Sequence, residues 1–258
     1  MIALNTSSLW DLTKRDFSER FAGSVLGAIW ALIWPLVNLT IYIVIFGRFM
    51  GARLPGTSDT YAYGVYVACG LLPWTAMAGT IGRSTSVFLD KRHIISKVSV
   101  SLPALLLVIN LSESITFAIS MGFFFIFLLI TGYNLNEHLI LLPFLFLLQQ
   151  LFAFGFGLLT ATLTVFLRDL KEIVGIVLQL WFWFTPIVYV SEILPDVVKK
   201  FMIYNPAYVL IESYHRIFVF NDAPSIKSLI VLTFVAHGLI CFSYYIFRAL
   251  EKDVRDFL

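Results

Sequence analysis

The sequence predicts an all-α polytopic membrane protein with six transmembrane helices. Three observations carry this. Of 258 residues, 59% are apolar and only 13% charged, where an ordinary soluble domain is about 25% charged. Six long stretches hold no Asp, Glu, Lys or Arg: 21–47, 60–82, 114–136, 138–167, 173–191 and 228–247. The shortest has 19 residues, close to the roughly 20 that a spanning helix needs. These stretches also lack the period-two alternation of barrel strands, and a helix satisfies its own backbone groups in hydrocarbon. A core helix of a soluble protein rarely runs so long without a charge, and six together do not arise from core packing.

The spans are placed at 25–47, 62–86, 102–131, 139–166, 172–190 and 227–248. An even number puts both termini on one side. The N-terminal segment, the second and fourth connections and the tail carry 12 of the Lys and Arg residues, and the opposite side carries 6. The excess of basic residues marks the cytoplasmic face, so both termini are expected in the cytoplasm. No apolar region precedes Lys14, Arg15 and Arg20, so no signal peptide is expected.

Residues 8–22 read as an interfacial amphipathic helix. Ser8 with Asp11 offers a weak capping box. Trp10, Phe17 and Phe21 fall near one face, Lys14, Arg15 and Glu19 are available to the other, and Gly23 is a plausible end. An ordinary polar lead-in is the alternative. Trp30 and Trp34 share a face of the first span, and Pro35 implies a kink or a rigid packing feature there.

Three connections carry information. In FLDKRHIISKVSVSLP, Asp90 can cap a short helix whose apolar flank holds Ile94, Ile95 and Val98. Its basic residues suit a partner protein or anionic headgroups. FLRDLKEI, with Arg168, Asp169, Lys171 and Glu172, reads as a tight turn. The long connection 189–227 holds Pro195 and an 11-residue apolar run at 201–211, too short to cross. Asn205-Pro206 is a helix start, Asn as cap and Pro in the first turn. Two short helices fit here, either dipping into the outer leaflet or lying on it. Both arrangements keep Glu212 and Arg216 near headgroups or an aqueous vestibule.

Glu113 interrupts the third span about 16 Å along it. A lipid-facing carboxylate is costly there, so it should face protein or water. Asn38, Asn110, Gln149, Gln150 and Gln179 are further polar candidates within spans. LWFWFTPIVY gathers Trp181, Phe182, Trp183, Phe184 and Tyr189, with Trp181 and Phe184 on one face. Aromatic rings stack on sugars, although lipid anchoring explains most aromatics in membrane proteins. Gly155 and Gly157 point to close helix packing rather than phosphate binding.

Several classes lack support. No Walker-type stretch occurs, so ATP would have to be hydrolysed by another polypeptide. His93, His138, His215 and His237 are scattered without metal-ligand spacing. Cys69 and Cys241 both fall in spans and read as small hydrophobes. No catalytic constellation or nucleic-acid motif stands out.

Four segments together carry a family likeness: FAGSVLGAIWALIWPLVNLTIYIVIF, CGLLPWTAM, FLRDLKEIVGIVLQLWFWFTPIVY and LPDVVKKFMIYNPAYVLIESYHRIF. In this order they resemble the membrane subunits of bacterial ABC-type polysaccharide exporters, the O-antigen branch above all. The resemblance covers nearly the whole chain. It implies one transmembrane domain over 1–258, with an interfacial helix at 8–22, a coupling-helix region at 88–101 and an outer gate region at 190–226. It also implies an inner-membrane homodimer joined to two copies of a separate ATPase. That partner would bind ATP and Mg, this chain would hold no cofactor or metal, and a lipid-linked polysaccharide would be the cargo.

The matching positions are Asp90, Lys91, Arg92, Ile94, Ile95 and Val98 for coupling, and Trp10, Arg15, Phe17 and Phe21 for the interfacial helix. Pro195, Asn205, Pro206 and Arg216 match the outer gate. Tyr42, Phe46, Glu113, Trp181 and Phe184 are the channel or polar-span candidates. Competing readings are a permease for teichoic acid, capsule or a small lipophile, a standalone channel or receptor, and a membrane-embedded glycan-processing enzyme. The last would need convergent acids, and Glu113 alone is too little.

Overall fold

A computed structural model describes residues 6–20, 23–24, 26–41, 44, 62–95 and 101–258, with backbone alone at 6, 28, 31, 39, 94 and 192. The described residues are helical with no strand among them. In chain order the α-helices are α1 (Thr6–Glu19), α2 (Trp30–Thr40), α3 (Ala62–Asp90), α4 (Arg92–Ile95), α5 (Leu102–Ile130), α6 (Leu142–Thr164), α7 (Leu170–Trp183), α8 (Asp196–Met202), α9 (Pro206–His215) and α10 (Ile226–Phe257). Four helical segments are long and apolar enough to cross a bilayer: α3, α5, α6 with the 3-10 turn before it, and α10.

α3 is the centre. Its apolar window is 83% buried, against 22–39% for the other three. It packs on α5, α6, α7 and α9, and α6 is itself held between α3 and α10. Two glycines allow this. A Cβ on Gly157 would sit 2.7 Å from Ser84 Cβ of α3, and one on Gly155 would sit 3.1 Å from the Ile240 backbone nitrogen of α10. Two residues apart on a helix, they face nearly opposite ways, and each lets a neighbouring helix approach closely. The outer helices turn large apolar side chains outward, Ile130, Ile140 and Phe234 among them. In water this surface would drive association; in lipid it is the expected exterior.

The elements differ from expectation in four places. Helix α1 starts at Thr6, so Ser8 and Asp11 lie inside it and form no capping box. It ends at Glu19, and Gly23 at φ 83° lies in the following turn, a backbone conformation glycine favours. α3 runs on to Asp90, which accepts a 2.6 Å hydrogen bond from Ser86 Oγ within that helix instead of capping α4. α7 stops at Trp183 and so measures about 21 Å, short of the roughly 30 Å hydrocarbon core. Thr185-Pro186 explains the stop, since a residue before proline is pushed to extended backbone and proline cannot continue the ladder. Of the first expected span only α2 and its immediate flanks are described. Phe21, Tyr42, Phe46 and Val98 lie outside the described residues.

Candidate functional site

Three groups of residues gather the charges that sequence reading left scattered. The first joins α1, α3 and α5. Glu113 of α5 is 7% exposed. Its Oε1 accepts from Arg20 Nη2 at 2.5 Å and from Arg83 Nη1 at 3.0 Å. The other arm of Arg83 donates to both carboxylate oxygens of buried Asp16 on α1, at 2.9 and 2.7 Å. Arg20 Nη1 reaches Thr116 Oγ1 one turn beyond Glu113, at 3.2 Å. Two guanidinium groups thus meet two carboxylates, the neutral balance a buried charge cluster needs. Gly79, one turn from Arg83 on α3, makes room: its missing Cβ would lie 3.2 Å from Glu113 Oε2. A cavity of about 90 Å³ adjoins the carboxylate, walled in part by Thr75, Thr116 and Ser120.

Glu113 therefore faces protein, in a cluster with Asp16, Arg20 and Arg83 that sequence reasoning missed. A signal was present. Arg83 and Glu113 each interrupt an apolar helix two to three turns from the α3–α5 connection, and opposite charges at matched depth in adjacent antiparallel spans are natural partners.

The second group is the turn into α4. Lys91 Nζ donates to Glu19 Oε2 at 3.0 Å, and Arg15 Nε donates to the other oxygen at 2.7 Å. These hydrogen bonds, Arg15 first, hold the Glu19 carboxyl below its ordinary 4.5. The end of α1 is thereby tied to the start of α4. Arg92 and His93 are exposed. Ile95 points inward, packed with Val87, Phe88 and Leu102 in a core that also takes in Phe247 of α10. On α1, Trp10 is exposed with Lys14 Nζ 5.5 Å from its ring centre, Arg15 is exposed, and Phe17 is half-buried. The buried face of α1 carries Thr13 and Asp16, not Trp10.

The third group lies at the opposite end of α3. Asn205 caps α9: Oδ1 accepts from the Ala207 and Tyr208 amides at 3.1 and 3.4 Å, with Pro206 in the first turn. The same oxygen accepts from Trp181 Nε1 at 2.7 Å, and Nδ2 donates to Thr185 Oγ1 at 3.2 Å. One side chain thus pins the end of α7 to the start of α9. The Trp181 ring packs against Trp74, Phe152 and Phe156 inside the bundle, whereas Phe184 is 65% exposed. These two candidates, expected on one face, stand in different surroundings. Pro195 precedes α8 at the surface. Arg216 opens the π-helical turn after α9, bonding to Glu212 at 3.4 Å and to Asp222 at 2.9 Å. Next to it, the His215 ring stacks on Tyr66 at 3.8 Å and its Nε2 lies 3.0 Å from the Tyr66 carbonyl, over Gly70. Among the described residues no group of His, Cys, Asp and Glu could hold a metal.

Comparison with known proteins gives this helical frame relatives. The chain is 28% identical to an O-antigen export system permease protein RfbA of Myxococcus xanthus, over 96% of this chain and 94% of that protein. It is 28% identical to an RfbA of Klebsiella pneumoniae over 98% and 97%, and 29% identical to another from that organism over 83% of each. The family model for ABC-2 type transporters matches residues 7–219, from α1 through the turn that follows α9. This is a multi-pass membrane protein, and it belongs to the ABC-2 type transporter family.

Proposed function

We propose that this chain is the channel-forming subunit of an ATP-driven exporter that carries a lipid-linked O-antigen polysaccharide across the bacterial inner membrane. The observation that carries the reading is its end-to-end likeness to O-antigen export permeases. On this reading α2, α3, α5, α6, α7 with its non-helical continuation, and α10 are six spans of one domain, with both termini in the cytoplasm. Two copies enclose the conduit. Two copies of a separate ATPase bind ATP and Mg and do the hydrolysis, and this chain performs no covalent step.

The residues then divide the work. The α4 turn, 88–101 with its surroundings, meets the ATPase through exposed Arg92 and His93. Its movement is passed to α1 through Lys91 and Glu19, and from α1 to α3 and α5 through Asp16, Arg83 and Glu113. At the other end, α8 and α9 form the gate, hinged on Asn205 beneath α7. A glycan needs such a hydrated, protein-lined route, because each hydroxyl buried without a partner costs a few kcal/mol.

The test is capture and export. A tagged chain should co-purify with an ABC ATPase, and its deletion should leave lipid-linked glycan on the cytoplasmic face. Arg92→Glu with His93→Glu should reduce ATPase capture at least tenfold while membrane insertion is unchanged. A chain that supports normal surface glycan without any ATPase would sink the reading.

A further inference from the structure

A groove of about 360 Å³ runs between α1 and the facing ends of α3 and α5, apart from any conduit residue named above. Its walls are apolar: Leu12 of α1, Val87 of α3, and Leu105, Val108 and Ile109 of α5. Its mouth is basic. Arg15 and Lys91 stand there with Glu19 between them, and the Asp16 carboxylate is turned away onto Arg83. Two cations therefore share one available carboxylate, leaving an excess positive charge at the rim. Depth matters as well. α5 begins at Leu102, so Leu105, Val108 and Ile109 lie about 5–11 Å along it. Exposed Trp10 with Lys14 over its ring sits on the same helix as Leu12, the kind of pair that settles at headgroup level.

We infer that this groove is a binding site for one anionic phospholipid of the surrounding leaflet, an acyl chain between α1 and α5 and the phosphate on Arg15 and Lys91. Charge complementarity selects the occupant. An apolar slot alone would accept any lipid chain, whereas the cationic mouth favours a headgroup with net negative charge. Lys91 immediately precedes α4, so the bound lipid braces α1 against the α4 turn and makes that junction sensitive to leaflet composition. The inference rests on the proposed interfacial position of α1.

Native mass spectrometry of the purified full-length chain tests it, titrating phosphatidylglycerol against phosphatidylcholine with identical acyl chains. Wild type should hold one phosphatidylglycerol at least tenfold more tightly than phosphatidylcholine. A basic residue near anionic lipid contributes about fivefold in affinity. Arg15→Gln with Lys91→Gln should therefore lower phosphatidylglycerol binding about 25-fold and leave phosphatidylcholine unchanged. Val108→Trp, which fills the slot, should exclude both lipids without touching the rim charges. Equal binding of the two lipids by wild type overturns the proposal, as does full phosphatidylglycerol binding by the double variant. Displacement of phosphatidylglycerol by an equimolar polyprenyl phosphate overturns it too, since the occupant is then the lipid carrier. Quenching by doxyl-labelled lipid, compared between wild type and Trp10→Phe, reads the position of α1 separately. If the two quench alike, the interfacial placement itself fails.

Discussion

Replacing Glu113 tests the buried charge cluster most directly. Removing one partner of a buried ion pair costs about 3–5 kcal/mol, because the group left behind stays desolvated. Here the loss should fall at the low end. The side chains of Arg20 and Arg83 keep 20% and 32% exposure, and Arg83 retains both bonds to Asp16. Glu113→Ala should thus cost about 3 kcal/mol, and Glu113→Gln, which keeps the shape and one acceptor oxygen toward the two arginines, about 2 kcal/mol. The assay is SDS-titrated unfolding in dodecyl maltoside, followed by tryptophan fluorescence. A double-mutant cycle with Arg20→Gln should return about 1–2 kcal/mol of coupling, since the pair is in direct contact. Wild-type midpoints for both Glu113 variants, or a coupling of zero, would refute the pairing.

Three further outcomes follow from the packing and the caps. Asn205→Ala should destabilise by about 2 kcal/mol, from a lost helix cap and an orphaned Trp181 N–H, and Asn205→Asp, which still accepts from both, should lose less in the same unfolding assay. Gly157→Ala places a Cβ 2.7 Å from Ser84 Cβ and should cost about 1–3 kcal/mol, with Ser84→Gly restoring most of it in the double variant. Glu19 has its folded pKa depressed from 4.5 by Arg15 and Lys91; its stabilisation of α1 is therefore fully present above 4.5 and is lost as pH falls through the lowered folded value. Hydrogen exchange of α1 should accelerate in that acid window, and Glu19→Gln should erase the pH dependence.

How much could be read beforehand varied with the range of the physics involved. Local signals were legible. Asn205-Pro206 declared a helix start because cap and first turn are neighbours in sequence, and Gly155 with Gly157 declared close packing because only small residues permit it. The end of α7 was legible too, in Thr185-Pro186, yet the charge-free run through to 191 suggested a longer span. What sequence could not display was pairing across distance. Matched depth pointed from Glu113 to Arg83 but nothing near Glu113 names Arg20, and the burial of Asp16 depends on how α1 lies over α3 and α5. Ile95 and Trp181 illustrate the same limit. Ile95 was legible as part of an apolar flank, but not its place in a core that takes in Phe247 of α10. For Trp181, an indole N–H and a distant Asn decided its direction.

The Arg20–Glu113 contact spans 93 positions of sequence, which sets an order of events during synthesis. At about 5–20 residues per second, α1 leaves the ribosome roughly 5–20 seconds before its anionic partner on α5. Until then Arg20 lacks its carboxylate on α5, whereas Asp16 can already meet Arg83 of α3. Glu113 in turn enters the bilayer most readily alongside Arg83, already emerged on α3. α1 is therefore fully locked only once both α3 and α5 have been made.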